Sequence, residues 1–196
     1  MFLITIGITL IFILVLQIAI RRNNHSQQEL EDNFWEREAK ANFTRRKNLD
    51  NLNYLTIPLE KIPQNLHTDA ENTLVNLASC RMLNLSGQTN TDLKLEYGAA
   101  NLDELSSYDD NFSSFENAVS TYAEELSAAG QTDDARALLE LAISYKSEKS
   151  TIYVQLAEIY KQTGDTEKIR DLQATAEGLQ PLPGKLITER LKPYLT

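Results

Sequence analysis

The alternation of hydrophobic and polar positions changes character along this 196-residue chain. Residues 2–20 (FLITIGITLIFILVLQIAI) carry no charge, and Thr5, Thr9 and Gln17 are their only polar side chains. At ~1.5 Å per residue such a helix covers roughly 28 Å, close to the thickness of a bilayer's hydrocarbon core. A single transmembrane helix is therefore expected, with residues 1–21 as an uncleaved anchor. A secretory leader would need a basic start, a shorter apolar run and a small-residue cleavage site, and none of the three is present. Arg21, Arg22, Arg37 and Lys40 follow the run, so the positive-inside rule places the C-terminal domain in the cytoplasm. The chain then reads as a single-pass protein of the cell membrane, touching the lipid bilayer through residues 2–20.

Beyond Arg22 the apolar positions thin out. Ser26 and Glu29 have capping-box spacing and predict a helix running to about residue 47. Its aromatic residues, Phe34, Trp35 and Phe43, suit docking on the body of the protein or the membrane interface. The basic cluster TRRKN (44–48) suits anionic headgroups or plain solvent. Pro58 and Pro63 break the helical pattern over 52–66 and predict an extended linker lying along the helical domain, or an edge strand. Residues 22–67 thus form a juxtamembrane helix and a Pro-containing linker.

From residue 68 onward the helical period dominates. The pattern predicts helices over 68–85, capped by Thr68 or Asp69, and over 91–106, capped by Asn90 or Thr91. Ser, Asp and Asn in 106–114 predict a loop. Further helices are expected over 115–129, 132–146, 150–163 and 166–178, then a stop at 179–184 (LQPLPG) and a short last helix over 185–192. The fold class is all-α.

Two of these hairpins share more than a turn. AAGQTDDARALLELA (128–142) aligns with QTGDTEKIRDLQATA (162–176) at a spacing of 34 residues. Gly130 matches Gly164, Thr132 matches Thr166, Arg136 matches Arg170 and Ala142 matches Ala176. That period and the helix-turn-helix content resemble the tetratricopeptide repeat family, with repeats at 116–149 and 150–183. In the first helix of each repeat the family's large, small and aromatic positions hold Tyr122, Ala123 and Leu126, then Leu156, Ala157 and Tyr160. In the second helix its small, large and alanine positions hold Ala135, Leu139 and Ala142, then Ile169, Gln173 and Ala176. The second repeat departs at Ile169 and Gln173, the opening Trp is Val119 or Tyr153, and the closing Pro is Ser147 in the first repeat and Pro181 in the second.

The resemblance implies a hairpin solenoid over 68–196. The earlier helix pair would be a degenerate repeat and 185–192 a capping helix, because hairpins of this kind bury their apolar faces only by stacking. It also implies a concave face lined by the first helices, here by Asn117, Ser120, Glu124, Ser127, Thr151, Val154, Glu158 and Lys161. The Lys and Asn residues with which one subtype of the family clamps a peptide carboxylate are absent. Glu124 and Glu158 instead suit a basic or polar protein or peptide ligand, or a solvated helix face.

Charge narrows the partners. The whole chain carries a formal charge of −9. Residues 21–47 hold seven Lys/Arg and five Asp/Glu, which leaves residues 48–196 at −11. An acidic body argues against nucleic acid. Cys80 is the only cysteine and reads as a buried structural thiol. His25 and His67 have no second ligand at metal spacing. No phosphate loop, dinucleotide fingerprint or nucleophile–base pair is visible, so no cofactor, metal or catalytic residue is assigned. The expected function is that of a membrane-anchored interaction scaffold or adaptor with a cytoplasmic domain. The alternatives are a structural subunit of a membrane complex, or an enzyme or secretion accessory factor without a readable motif.

Overall fold

The computed structural model describes the backbone of residues 2–195, and the side chains of these except 2–11, 13, 19, 23, 24 and 26. The described residues are helical apart from connections and one isolated bridge, Leu55 to Met82. The helices are α1 (Phe2–Asn42), α2 (Asp69–Leu77), α3 (Asn90–Tyr97), α4 (Leu102–Ala128), α5 (Thr132–Ser144), α6 (Ser150–Thr163), α7 (Thr166–Glu177) and α8 (Pro181–Leu191). Short 3-10 turns lie at Leu59–Lys61, Ala99–Asn101 and Lys192–Tyr194. The chain divides into two compact units, residues 1–47 with 89–102, and residues 48–88 with 103–196.

The first unit corrects the membrane reading. Among the described residues, no helix is long and apolar enough to cross a membrane. The expected span at 2–20 falls in part outside the described side chains, which in α1 begin at Phe12. From Phe12 the apolar residues end at Ile20, and Arg21 and Arg22 follow without a break in the helix. The transmembrane helix, the single-pass topology, the bilayer contact, the cell-membrane localisation and the cytoplasmic placement drawn from the flanking arginines are not supported. The new helix start at Ser26 is also absent, because α1 runs continuously through it; the Ser26 side chain lies outside the description.

Polar contacts hold α1 to α3. The Glu38 carboxylate accepts from the Lys94 amine and the Thr91 hydroxyl, and the Asn42 side chain also accepts from Lys94. Arg37 pairs with Asp92, which closes a capping box with Thr89 at the start of α3. The Lys94 and Thr91 hydrogen bonds hold Glu38 below the usual carboxylate range. Asn101, fully buried, donates to the carbonyls of Lys47 and Tyr97 at 2.8 Å each and accepts from Arg46.

In the second unit one apolar cluster joins the Pro-containing segment to α2 and α4–α8. Ile57 and Ile62, each just before a proline, are buried in it. The extended linker expected over 52–66 is present, carrying one 3-10 turn and the single bridge in place of an edge strand. α2 begins with Thr68 as its N-cap but ends at Leu77 rather than at 85. Residues 81–85 run extended because tertiary bonds compete with the helical ladder. The carbonyl of Met82 accepts from the Leu55 N–H, the Leu83 N–H donates to the Tyr108 carbonyl, and the Leu85 N–H donates to the Asp109 carboxylate.

The loop expected at 106–114 is instead the middle of α4. Leu105, Phe112, Phe115, Val119, Tyr122 and Leu126 recur at helical spacing and are buried. Ser107, Asp110, Ser113 and Ser114 occupy the exposed side. Their weak individual preference against helix is overridden by packing. Likewise LQPLPG is no stop, since Pro181 opens α8 in the first turn, where a missing N–H costs nothing.

The hairpin turns follow the expected residues. Gly130 and Gly164 sit at φ +80° and +78°, and a Cβ at either would meet nothing within 4 Å. Alanine there should cost only the left-handed backbone strain, about 1 kcal/mol, read as a small shift of the unfolding midpoint. A loss above about 3 kcal/mol would show that these positions carry packing as well.

A buried carboxylate fixes the segment before α2. Glu71 accepts from the backbone N–H groups of Leu66 and His67, each at 2.9 Å, and faces the Tyr122 hydroxyl at 2.9 Å. That hydroxyl also reaches the Pro63 carbonyl. Burial pushes the Glu71 carboxyl up, but the Tyr122 hydroxyl, the two N–H groups and the charge of His67 together outweigh it and hold it low. Glu71→Gln should therefore cost about 1–3 kcal/mol at pH 7. Because the folded pKa is depressed, this stability is present above the ordinary value of about 4.3 and is lost as pH falls through the lower folded value. Denaturant titrations of the two proteins should begin to converge as the pH falls below about 4.3; a difference that widens throughout the acid limb would sink this account.

Candidate functional site

The eight residues expected on the concave face belong to α4 and α6. Three of them, Glu124, Ser127 and Glu158, line a recess of about 260 Å³ together with Ala123, Thr132, Leu139, Gln155, Ile159 and Gln162. Its floor derives from the hairpin packing. Ala123, Leu139 and Ile159 are buried on α4, α5 and α6, while the glutamates stay exposed at the rim. A small residue at 123 lets the helices approach closely enough for α5 and α6 to contribute to one hollow.

The other expected residues are placed differently. Ser120 is buried, its hydroxyl shared between the Thr151 hydroxyl at 3.2 Å and the Gln155 side-chain oxygen at 3.3 Å. Ser120 and Thr151 therefore join α4 to α6, and Thr151 stays exposed. Asn117 is exposed and accepts from the Lys149 amine. Val154 is half-buried. Lys161 donates to the Pro193 carbonyl at 3.2 Å, and its amine stands 5.8 Å from the centre of the Tyr194 ring. Glu158 accepts from the Tyr194 hydroxyl at 2.9 Å. Burial, then the Glu158 hydrogen bond, pushes the Tyr194 hydroxyl above its usual pKa.

Gln155 and Tyr194 are the residues that the sequence pattern passes over. The Gln155 amide donates to the Ser120 carbonyl at 3.0 Å and to the Glu124 carboxylate at 2.7 Å. Its only signal is a polar side chain inside the otherwise apolar IYVQLA (152–157). Tyr194 lies beyond both repeats; it stands 34 residues after Tyr160, but the period does not say that its hydroxyl meets Glu158.

Ser147 stands where the family pattern closes on proline, and it is fully buried. Its hydroxyl donates to Glu116 and accepts from the Lys149 N–H, while its carbonyl accepts from the Tyr153 hydroxyl at 3.1 Å. Burial, then the charges of Glu148 and Glu116, pushes the Tyr153 hydroxyl up to about 12. Burial likewise raises the Glu116 carboxyl.

Elsewhere the chemistry is structural. Cys80 is half-buried just beyond α2, its thiol 3.6 Å from the Asn76 carbonyl. His25 and His67 are exposed, each beside the glutamate four residues on. No group of three or more His, Cys, Asp or Glu among the described residues could hold a metal ion. Comparison of the chain with known protein families, curated proteins and solved structures gave no match.

Gln155→Ala should cost about 1–2 kcal/mol, because it leaves the buried Ser120 hydroxyl with one partner fewer. The unfolding midpoint checks this. Gln155→Glu should cost more, since it sets a second carboxylate against Glu124 and replaces the donor nitrogen by an acceptor oxygen.

Proposed function

We propose that the α4–α6 face is a protein-binding surface and that the chain acts as an interaction module built on tetratricopeptide-like hairpins. The observation that carries this is the recess itself, with an apolar floor of Ala123, Leu139 and Ile159 and the carboxylates Glu124 and Glu158 at its rim. An apolar hollow with a few fixed polar groups is the usual form of a binding site. The floor suits the carbon chain of a lysine or arginine, and the rim suits its charge. The acidic body adds long-range attraction for such a ligand. The carboxylates already have partners in Gln155 and Tyr194, which supports positioning of a ligand more than proton transfer.

Probing a peptide array with the intact chain tests the idea. Wild type should favour segments containing Lys or Arg. Glu124→Lys with Glu158→Lys should weaken those spots by about tenfold or more and leave far-UV dichroism unchanged, since both side chains are exposed. Binding without preference for basic residues, or a preference that survives the charge reversal, would overturn the proposal.

A further inference from the structure

Part of the α6 side of the proposed surface is already engaged by the chain itself. The turn Lys192–Tyr194 follows α8, and α8 packs along α6. Its Pro193 carbonyl accepts from Lys161, its Tyr194 hydroxyl donates to Glu158, and the Tyr194 ring faces the Lys161 amine. Two of the eight residues expected to meet a ligand are thus engaged by three features of a single short turn. Tyr194 and Leu195 are each half-buried. The Lys161–Pro193 and Tyr194–Glu158 bonds lie at exposed positions, so water competes for both, while Tyr194 and Leu195 also rest against the apolar cluster.

We infer that residues 192–195 are an internal ligand of the α6 side of this surface, displaced when a partner binds there. The inference rests on the binding-surface reading above and adds its regulation and the chemistry of the competing segment. What the turn presents defines that chemistry. Glu158 takes a hydroxyl donor carried on an aromatic ring, and Lys161 takes a backbone carbonyl from the residue before it and the face of the same ring. The competing segment is therefore an exposed peptide with an aromatic donor residue preceded by a residue that offers its backbone carbonyl. A partner bearing that pattern would use both the recess and the vacated strip beside it.

The test uses the full chain and a fluorescent peptide with the sequence of residues 188–196, TERLKPYLT, supplied in trans. Tyr194→Ala in the chain weakens the internal copy, so this variant should bind the peptide about tenfold tighter than wild type does. Tyr194→Phe removes only the hydroxyl and should give a smaller gain. Adding Glu158→Gln and Lys161→Met to Tyr194→Ala should remove the gain. Equal binding by wild type and both Tyr194 variants, or a gain that survives loss of Glu158 and Lys161, would overturn the inference. So would variants that lose thermal stability without any change in peptide binding, which would make the turn a structural cap only. If Tyr194→Ala fails to fold, Tyr194→Phe carries the comparison alone, and no gain there overturns the inference. The array experiment separates the two ideas, since charge reversal can abolish binding of basic segments whether or not the turn is displaceable.

Discussion

Everything proposed for this protein depends on how closely α4, α5, α6 and α7 can approach one another. Five alanines, at 123, 135, 142, 157 and 176, are buried to 1% exposure or less. A larger side chain at any of them would push two helices apart, and interiors packed near crystal density have no room to absorb it. The recess is what remains where Ala123 stops short of filling the space between α4, α5 and α6. The small residues serve stability first, and the hollow follows from the same geometry.

Polar groups then decide which arrangement of these helices is kept. Among the described residues, no buried side-chain nitrogen or oxygen lacks a hydrogen-bond partner. Glu71 gathers two backbone N–H groups and a tyrosine, Ser147 joins Glu116 to the start of α6, and Asn101 closes the link from 46–47 to 97 in the other unit. An unpaired buried group costs more than a made bond gains, so each of these acts against alternative packings more than it adds to the total stability.

The hairpins were legible because their signals are local and steric. Glycine at a left-handed turn and alanine at a close contact each leave one residue type that fits, and a repeat shows both twice. The misreadings share an opposite cause. Over 106–114 the Ser and Asp residues suggest a loop locally, but Phe112 and Phe115 belong to a helical face fixed by distant neighbours. Residues 81–85 look helical until the Leu55, Tyr108 and Asp109 contacts draw them out. The span expected at 2–20 lies largely outside the described side chains, and among the described residues no helix is long and apolar enough to cross a membrane. Glu71 sat at capping-box spacing from Thr68, yet its carboxylate turns to Leu66 and His67. Which N–H groups a carboxylate will meet depends on a fold not yet known. Glu124 and Glu158 came from a register; Tyr194 repeats Tyr160 at 34 residues, but its bond to Glu158 depends on how the turn after α8 packs on α6.

The Gln155 amide has a mechanical consequence. Its nitrogen holds the Ser120 carbonyl and the Glu124 carboxylate while its oxygen receives the Ser120 hydroxyl. Donor and acceptor are thus matched in one direction along α4. Sliding α6 by one turn, about 5.4 Å, would keep the apolar surfaces in contact but strand all three bonds. The amide therefore works as a detent. The two helices can separate or stay, but they have no low-energy way to creep past each other, and the recess keeps its outline for as long as the hairpins remain stacked.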